Sequence, residues 1–180
     1  MMNGIFADEK IRLRAVEADD ITHFIRWEND TDLWSFGGQI QPLSKYAISQ
    51  YLEQSLCNDV FSMHQVRLII EFNNSVAGSI DLFDVDPLTM KASVGLVIDK
   101  KYRGNGFGEE SLRKLIAYSF EMLNLHQLYA HVPVSNQASV ALFTKAGFKN
   151  VARLKDWTRR NGIYEDVFFF QLIRDNKAAI

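Results

Sequence analysis

Three glycines, at positions 104, 106 and 108, lie within five residues of a 180-residue chain that has only ten glycines. Apolar residues alternate over residues 92–98 just before them, which predicts a strand. Apolar residues recur at spacings of three and four over residues 112–123 just after them, which predicts an amphipathic helix. At such a strand-to-helix turn the first helical N–H groups lack partners and lie at the positive end of the helix dipole. Since glycine lets the backbone approach a ligand closely, the segment predicts an anion site, with phosphate as the expected anion.

Two common nucleotide-binding patterns do not fit this glycine segment. No Lys-Ser or Lys-Thr pair follows the last glycine, which excludes the P-loop of nucleotide triphosphatases. The spacing of the glycines differs from G-x-G-x-x-G and no βαβ series precedes them, which disfavours a dinucleotide-binding dehydrogenase. Arg103, Lys100 and Lys101 add positive charge at the turn. A glycine-rich turn without a ligand remains the alternative.

The rest of the chain predicts one α+β domain over residues 1–180. Its elements follow the order strand, two helices, three strands, helix, strand, helix and two strands, which indicates a mixed sheet with helices packed on it. An Asn73-Asn74 pair and an Asn161-Gly162 pair separate strands and predict tight turns. The predicted strands cover residues 11–16, 65–72, 76–83, 92–98, 127–132, 148–157 and 163–173, and the predicted helices cover residues 21–27, 45–56, 112–123 and 141–145.

Composition excludes several classes of protein. A formal net charge of −2 disfavours sequence-independent binding of nucleic acid through its phosphates, so no nucleic-acid partner is expected. The single cysteine, Cys57, excludes an internal disulfide and a cysteine-cluster zinc site, and the four histidines show no metal-ligand spacing and are interpreted as structural. No apolar stretch approaches the ~20 residues of a membrane span, and the first residues lack a signal-peptide pattern. We therefore expect no metal, no membrane partner and a cytoplasmic location.

The glycine segment resembles the Q/R-x-x-G-x-G/A signature of the GNAT N-acetyltransferases. The likeness continues through Asn136 and a Lys145-Ala146-Gly147-Phe148 run, and the order of elements agrees over nearly the whole chain. Within that family the chain is most similar to the branch of spermidine/diamine N-acetyltransferases and ribosomal-protein N-terminal acetyltransferases. Residues 11–20, 27–30, 123–129 and 161–166 carry this second likeness.

The resemblance implies a GNAT fold, a mixed and mostly antiparallel sheet of about seven strands flanked by about four helices. It also implies that acetyl-CoA is the co-substrate, that a primary amine attacks it directly without a covalent enzyme intermediate, and that the chain forms a homo-oligomer, at least a dimer. The backbone of the glycine segment would hold the pyrophosphate, the strand before it would run beside the pantetheine arm, and an asparagine would hydrogen-bond that arm. The residues implied for the cofactor are Leu96, Val97, Ile98, Arg103, Gly104, Asn105, Gly106, Phe107, Gly108 and Asn136.

The acceptor amine must lose a proton before it attacks, since a lysine-like amine has a pKa of ~10.4. Asp81 lies where the family commonly has an acidic group facing the acceptor channel, and we interpret it as base or amine ligand. A plain surface carboxylate, and proton transfer through ordered water, are the alternatives.

Glu28 and Asp32 lie in the most acidic part of the chain, residues 17–32, which is also typical of a solvated helix face. The aromatic residues beside them, Trp27, Trp34 and Phe36, can form a wall that accepts a cationic amine. The same aromatic residues can instead form the packing side of a helix.

One position departs from the family pattern. Phe143 stands where family members often have a tyrosine that protonates the leaving thiolate, and phenylalanine cannot donate a proton. A polyamine such as spermidine is the acceptor we favour, and a peptide N-terminus is the alternative from the same branch. A catalytically weak acyl-CoA-binding or polyamine-sensing module is the alternative from another class of protein.

Overall fold

The computed structural model describes residues 11–37, 41–160 and 162–175, which form one seven-stranded sheet with helices on both faces. The strands are β1 (Arg12–Ala15), β2 (Val66–Phe72), β3 (Ser75–Asp86), β4 (Lys91–Ile98), β5 (Gln127–Pro133), β6 (Lys149–Arg160) and β7 (Ile163–Ile173). They lie in the sheet in the order β1-β2-β3-β4-β5-β7-β6. The α-helices are α1 (Ile21–Glu28), α2 (Thr31–Gly37), α3 (Lys45–Cys57), α4 (Phe107–Ala117) and α5 (Gln137–Lys145).

The sheet contains one parallel pair, β4 with β5, among antiparallel neighbours. This parallel ladder is only three pairs long and ends at Ser93 and Tyr129. β4 continues to Ile98 and β5 to Pro133, so the two strands separate beyond the ladder. The separation leaves a gap on one side of the last residues of β4, directly before the glycine segment.

The two faces of the sheet have separate cores. Helices α4 and α5 cover one face, where the buried residues include Ile80, Leu112 and Phe170. Helices α1 and α3 cover the other face of the N-terminal strands through residues such as Phe24 and Ile69. The alternation of apolar residues along the strands divides them between these faces, as period two requires.

The α+β class and the mixed, mostly antiparallel sheet predicted from the sequence are confirmed. Three details differ. Residues 31–37 form a short helix where no helix was predicted. Strand β3 extends to Asp86 past an irregularity in its pairing that follows Phe83. The helix that begins as α4 ends in a π turn over Tyr118–Met122. Asn161 of the predicted Asn-Gly turn lies outside the described residues, while Gly162 has a φ of +84°. In the described part of the chain, none of the helices is long and apolar enough to span a membrane.

Candidate active site

The glycine segment makes a tight turn from the end of β4 into α4. Asp99 begins a single 3-10 turn over Lys100–Tyr102, where its carboxylate accepts a hydrogen bond from the backbone N–H of Lys101. Gly104 and Gly106 have φ angles of +77° and +80°, values that glycine adopts without steric cost. Gly106 is the N-cap of α4 and provides no side chain to cap the helix. The N–H groups of the first turn of α4 are therefore left to an anion at the positive end of the helix.

Contacts within the protein hold this turn in its shape. The side-chain amide of Asn105 donates to the carbonyls of Tyr102 and Arg103, at 3.2 and 3.0 Å. Beneath the turn, the Phe107 ring packs on Phe72 with centroids 4.8 Å apart and on Tyr102 at 5.7 Å. Phe107 is buried, so its backbone N–H rather than its side chain faces a ligand. These side-chain contacts therefore fix the backbone of the predicted phosphate turn.

Arg103 and Lys101 lie at the turn itself. The Nε of Arg103 donates to the carbonyl of Ile98 at 3.0 Å, and the exposed guanidinium lines a cavity of about 410 Å³. The ammonium of Lys101 lies over the Tyr102 ring, 4.7 Å from its centroid. Both cations are placed to add positive charge beside the first turn of α4.

Lys100 is directed away from the turn, toward the acidic segment. Its ammonium lies 3.3 Å from carboxylate oxygens of both Asp30 and Asp32, and hydrogen bonds to Asp32 and Asp30 raise its pKa. A second ion pair joins Arg26 of α1 to Asp99. These contacts tie the α1–α2 region to the glycine segment across the 410 Å³ cavity. The charge of Lys100 is therefore already partnered within the protein.

The end of β4 presents two residues to the gap left by β5. The Asp99 N–H donates to the Ala77 carbonyl at 2.9 Å, which sets the alternation of backbone groups along β4. Val97, paired with Ser79, directs its N–H and C=O to β3. Leu96 and Ile98 direct theirs to the opposite side, where β5 has diverged. Of the three strand residues predicted to contact the cofactor, Leu96 and Ile98 offer backbone groups, while the Ile98 carbonyl already accepts from Arg103.

Asn136 begins α5 and Gly108 lies in the first turn of α4. The carboxamide oxygen of Asn136 accepts from the Ser139 N–H at 3.2 Å, which leaves its NH₂ group to donate. A Cβ built on Gly108 would lie at ordinary contact distance from Leu96 and Leu142, 3.4 and 3.6 Å. Gly108 therefore packs beside the end of β4 and beside α5.

Phe143 packs in the core. Its ring is 5.0 Å from Phe148 in an edge contact and 6.0 Å from Phe170 in a stacked one. Only 5% of the residue is exposed. The position that resembles the family's tyrosine is thus a packing position here.

Asp81 lies at the centre of the sheet, on the face covered by α1 and α3. It is 9% exposed and pairs with Gly95 of β4. A Cβ on Gly95 would lie 2.5 Å from Asp81 Oδ1, so the absence of a side chain at Gly95 makes room for the carboxylate. The other oxygen, Oδ2, lies 3.4 Å from both Gln65 Nε2 and Arg67 Nη2. Sequence reasoning singled out Asp81 but missed Gly95, although a glycine inside a strand is a signal of close approach.

Arg67 is a second residue that sequence reasoning missed. Its guanidinium donates to Glu28 at 2.9 Å and lies 3.4 Å from Asp81. It also lies over the rings of Phe24 and Tyr51, 5.4 and 5.3 Å from their centroids. Burial lowers the pKa of Arg67, but the charges of Asp81, Tyr51 and Glu28 outweigh it and the pKa is raised.

The acidic stretch is largely paired with cations of the same chain. Arg14 makes two hydrogen bonds to Asp20, at 2.7 and 2.8 Å, and Glu28 bonds to Arg67. Trp27 is 7% exposed and packs on Phe24 while it lines the 410 Å³ cavity. Trp27 is therefore both a packing residue of α1 and part of the wall of this cavity. The Phe36 and Cys57 side chains lie outside the described residues.

His131 lies across the gap from Asp81. Ser93 pairs with Tyr129, so two residues further along, Gly95 and His131 lie on the same face of the sheet. The imidazole stacks on the exposed Trp157 ring at 6.4 Å. Partial burial lowers the pKa of His131, and the charge of Asp84 acts in the opposite direction. The prediction that this histidine is structural rests on the absence of metal-ligand spacing, and the separation of its strand from β4 has no local sequence signal.

Residues 11–37, 41–160 and 162–175 contain no group of three or more His, Cys, Asp or Glu side chains placed to hold a metal ion.

Comparison with known proteins agrees with this arrangement. A family model described as an acetyltransferase (GNAT) domain matches residues 10–149. The spermidine N(1)-acetyltransferase of Vibrio cholerae is 26% identical over 161 residues, which cover 89% of this chain and 91% of the relative. The putative ribosomal N-acetyltransferase YdaF of Bacillus subtilis is 31% identical over 103 residues, 57% of this chain and 56% of the relative.

A solved structure shares the fold. The crystal structure of the Vibrio cholerae spermidine N-acetyltransferase in complex with CoA and spermine superposes with a TM-score of 0.84 at 23% identity, over 92% of this chain and 96% of that one. The family model covers most of the chain, and the separated β4 and β5 strands and the glycine turn lie within it. The chain therefore belongs to the GNAT acetyltransferase family and is an N-acetyltransferase.

Proposed function

We propose that the protein transfers an acetyl group from acetyl-CoA to a primary amine by direct attack, and that the amine is a polyamine such as spermidine. One observation carries the proposal: the part of β4 that β5 leaves unpaired runs from Gly95, over which the buried carboxylate of Asp81 lies, to the glycine turn that follows Ile98. A phosphate-bearing acyl donor and a cationic acceptor would thus meet at Leu96.

The residues of the groove between β4 and β5 fit CoA. The first-turn N–H groups of α4 suit a pyrophosphate, with Arg103 beside them, because an uncapped helix N-terminus favours negative charge. The carbonyl of Leu96, the N–H of Ile98 and the NH₂ of Asn136 suit the amides of a pantetheine arm, which would add to β4 as an extended strand does. Gly104, Asn105, Gly106 and Phe107 would contribute backbone, and the small Gly108 would let the arm pass.

Transfer to an amine requires that the amine lose its proton and that the oxyanion be stabilised. Asp81 would bind the ammonium and accept its proton, directly or through water. The Leu96 N–H would donate to the oxyanion that forms on the acetyl carbonyl. The thiolate would leave without help from Phe143, whose ring is in the core. The amine nitrogen bonds to the carbonyl carbon to form this tetrahedral oxyanion, which then collapses as the carbon–sulfur bond breaks and CoA leaves as the thiolate.

Three candidate functions are supported by different observations. A polyamine is supported by the carboxylates of Glu28 and Asp81 beside aromatic rings, and by relatives named spermidine N-acetyltransferases. A peptide N-terminus, the second candidate, is supported by the internal pairing of the acidic stretch, which lowers the charge available to a polycation. A weak acyl-CoA-binding or polyamine-sensing module is supported by the absence of a proton donor at Phe143.

A thiol-release assay with acetyl-CoA tests the proposal against spermidine, spermine, a simple monoamine and short peptides. We expect turnover with amines and a higher kcat/KM for spermidine than for peptides. A preference for peptides would select the second candidate. Tight CoA binding by calorimetry with no turnover of any amine would select the binding module and overturn the proposal.

The homo-oligomer implied by the resemblance is also a proposal for this chain. The terminal hairpin of β6 and β7 exposes apolar surface at Trp157 (61% exposed), Ile163 (73%) and Tyr164 (63%). Size-exclusion chromatography with light scattering measures the mass. A dimer or larger assembly is expected, and a monomer at micromolar concentration would contradict it.

A further inference from the structure

Arg67 lies where a cationic ligand would be expected. Two aromatic faces, those of Phe24 and Tyr51, lie 5.4 and 5.3 Å from its guanidinium carbon. Two carboxylates, those of Glu28 and Asp81, lie 2.9 and 3.4 Å from its terminal nitrogens. Aromatic faces combined with carboxylates are the groups that proteins use to bind ammonium and guanidinium ions. These groups form a cation-binding site, and the guanidinium of Arg67 occupies it.

The place that Arg67 occupies is continuous with open space. A cavity of about 200 Å³ is lined by Arg67 with Glu28, Tyr51 and Gln65, among others. Asp81 lies beside this cavity, since its Oδ2 is 3.4 Å from Gln65 and Arg67 of the lining while its Oδ1 lies over Gly95 of β4. The cavity has the size of a short alkyl amine chain rather than of a folded peptide.

The net charge of this pocket is the sum of the charges of three side chains. Glu28 and Asp81 bring two negative charges, and Arg67 cancels one of them. The remaining charge suits one ammonium group, and a second cation would meet the guanidinium instead of a carboxylate. Like charges so close together oppose binding, and a partly buried site screens them poorly.

We infer that Arg67 is a specificity-determining residue that limits this pocket to one ammonium group of the acceptor. The inference rests on the proposed function for the identity of the acceptor site. In the intact enzyme a polyamine gains little in this pocket from its second amine. When the guanidinium is removed, both carboxylates accept cations and the enzyme discriminates in favour of polyamines.

Three variants test this inference by the ratio of kcat/KM for spermidine to kcat/KM for butylamine. Arg67→Met removes the charge and keeps most of the volume, and it should raise the ratio about tenfold, the effect of one cation contact of about 1.4 kcal/mol. Arg67→Lys keeps the charge and should leave the ratio within about twofold. Arg67→Met combined with Glu28→Gln restores the original pocket charge, and its ratio should return to that of the unmodified enzyme. An unchanged ratio in Arg67→Met, or an equal rise in the double variant, would overturn the inference.

A binding measurement separates this inference from the proposed function. Methylguanidinium and spermidine are added to the Arg67→Met protein without acetyl-CoA, and the melting temperature is recorded. Both cations should raise the melting temperature of this variant, because they replace the lost guanidinium, and should raise that of the unmodified protein and of Arg67→Lys far less. Equal responses of all three proteins would overturn the inference. Loss of amine turnover with a retained response would overturn only the proposed function.

Discussion

Replacing Gly95 by alanine places a methyl group where the structure has room only for the Asp81 carboxylate. The new Cβ would lie 2.5 Å from Asp81 Oδ1, 3.1 Å from its Cγ and 3.3 Å from its Oδ2. An ordinary contact of 3.4 Å requires Oδ1 to move by about 0.9 Å. Asp81 is 9% exposed and its other oxygen faces Gln65 and Arg67, so the carboxylate must rotate out of its position.

The displacement predicts a large effect on catalysis and a modest one on stability. A shift of about 1 Å in a catalytic group can lower the rate about 100-fold, and loss of a general base lowers it about 100- to 10,000-fold. We therefore expect kcat/KM of Gly95→Ala to fall about 100-fold. Overpacking of this kind costs about 1–3 kcal/mol of unfolding free energy, less than the 5–15 kcal/mol typical of a domain, so the variant should still fold.

Steady-state thiol release and urea unfolding measure the two effects separately. Ser93→Ala is the matched control, since Ser93 lies on the same strand and face, already carries a Cβ and has a buried hydroxyl without a recorded partner in the described structure. It should leave kcat/KM within about threefold, because it removes no described hydrogen bond. In an Asp81→Ala background, Gly95→Ala should add less than a threefold loss, since the two changes act through one group. An active Gly95→Ala enzyme, or losses that multiply in the double variant, would refute the reasoning.

The other predictions concern the cofactor turn and one histidine. Gly106→Val forces a β-branched residue to a φ of +80°, which costs about 1–2 kcal/mol. Calorimetry should therefore find CoA binding at least ~10-fold weaker in a protein that remains folded, and unchanged affinity would count against the phosphate turn. Arg103→Ala should weaken CoA binding about 10-fold at low salt. Lys100→Ala should weaken it less than about threefold, because the charge of Lys100 is already paired with Asp30 and Asp32. A larger loss in Lys100→Ala than in Arg103→Ala would contradict the assignment. NMR should find the pKa of His131 below the ordinary 6.5, and Asp84→Asn should lower it further, since burial lowers it and Asp84 raises it. Because the unfolded chain then binds protons more readily, this histidine should reduce stability as the pH falls below about 6.5, and a pKa above that value would be inconsistent with the structure.

Local sequence patterns predicted those parts of the molecule that depend on neighbours in the chain. The strand before the glycines, the helix after them and the left-handed residues between them follow from periodicity and from the conformational freedom of Gly104 and Gly106. The uncapped N-terminus of α4, where we propose that the phosphates bind, could therefore be predicted from the sequence. The short helix over Thr31–Gly37 has no such periodic signal and begins where the Asp30 carboxylate accepts a hydrogen bond from the Asp32 N–H.

The acceptor side could not be predicted in the same way because its contacts join distant residues. Arg67 meets Glu28 across 39 positions of sequence and Asp81 across 14, and neither pair has a local signature. The acidic stretch looked like a free surface for a cation, but its charges are neutralised by Arg14, Arg67 and Lys100 from other elements. Phe143 illustrates the same limit, since its position was matched to a functional residue while its ring packs among Phe148 and Phe170.

The acetyl group itself gives the most direct test of the central claim. The enzyme is incubated with acetyl-CoA carrying a ¹³C-labelled acetyl group and with spermidine, and both the small molecules and the intact protein are analysed by mass spectrometry. The labelled acetyl group should be found on a primary amine of spermidine in amounts equal to the CoA released, none should remain on the protein, and Asp81→Asn should slow its appearance about 100-fold or more. Labelled acetyl on the protein during turnover, or CoA release without an acetylated amine, would contradict direct transfer in the groove between β4 and β5.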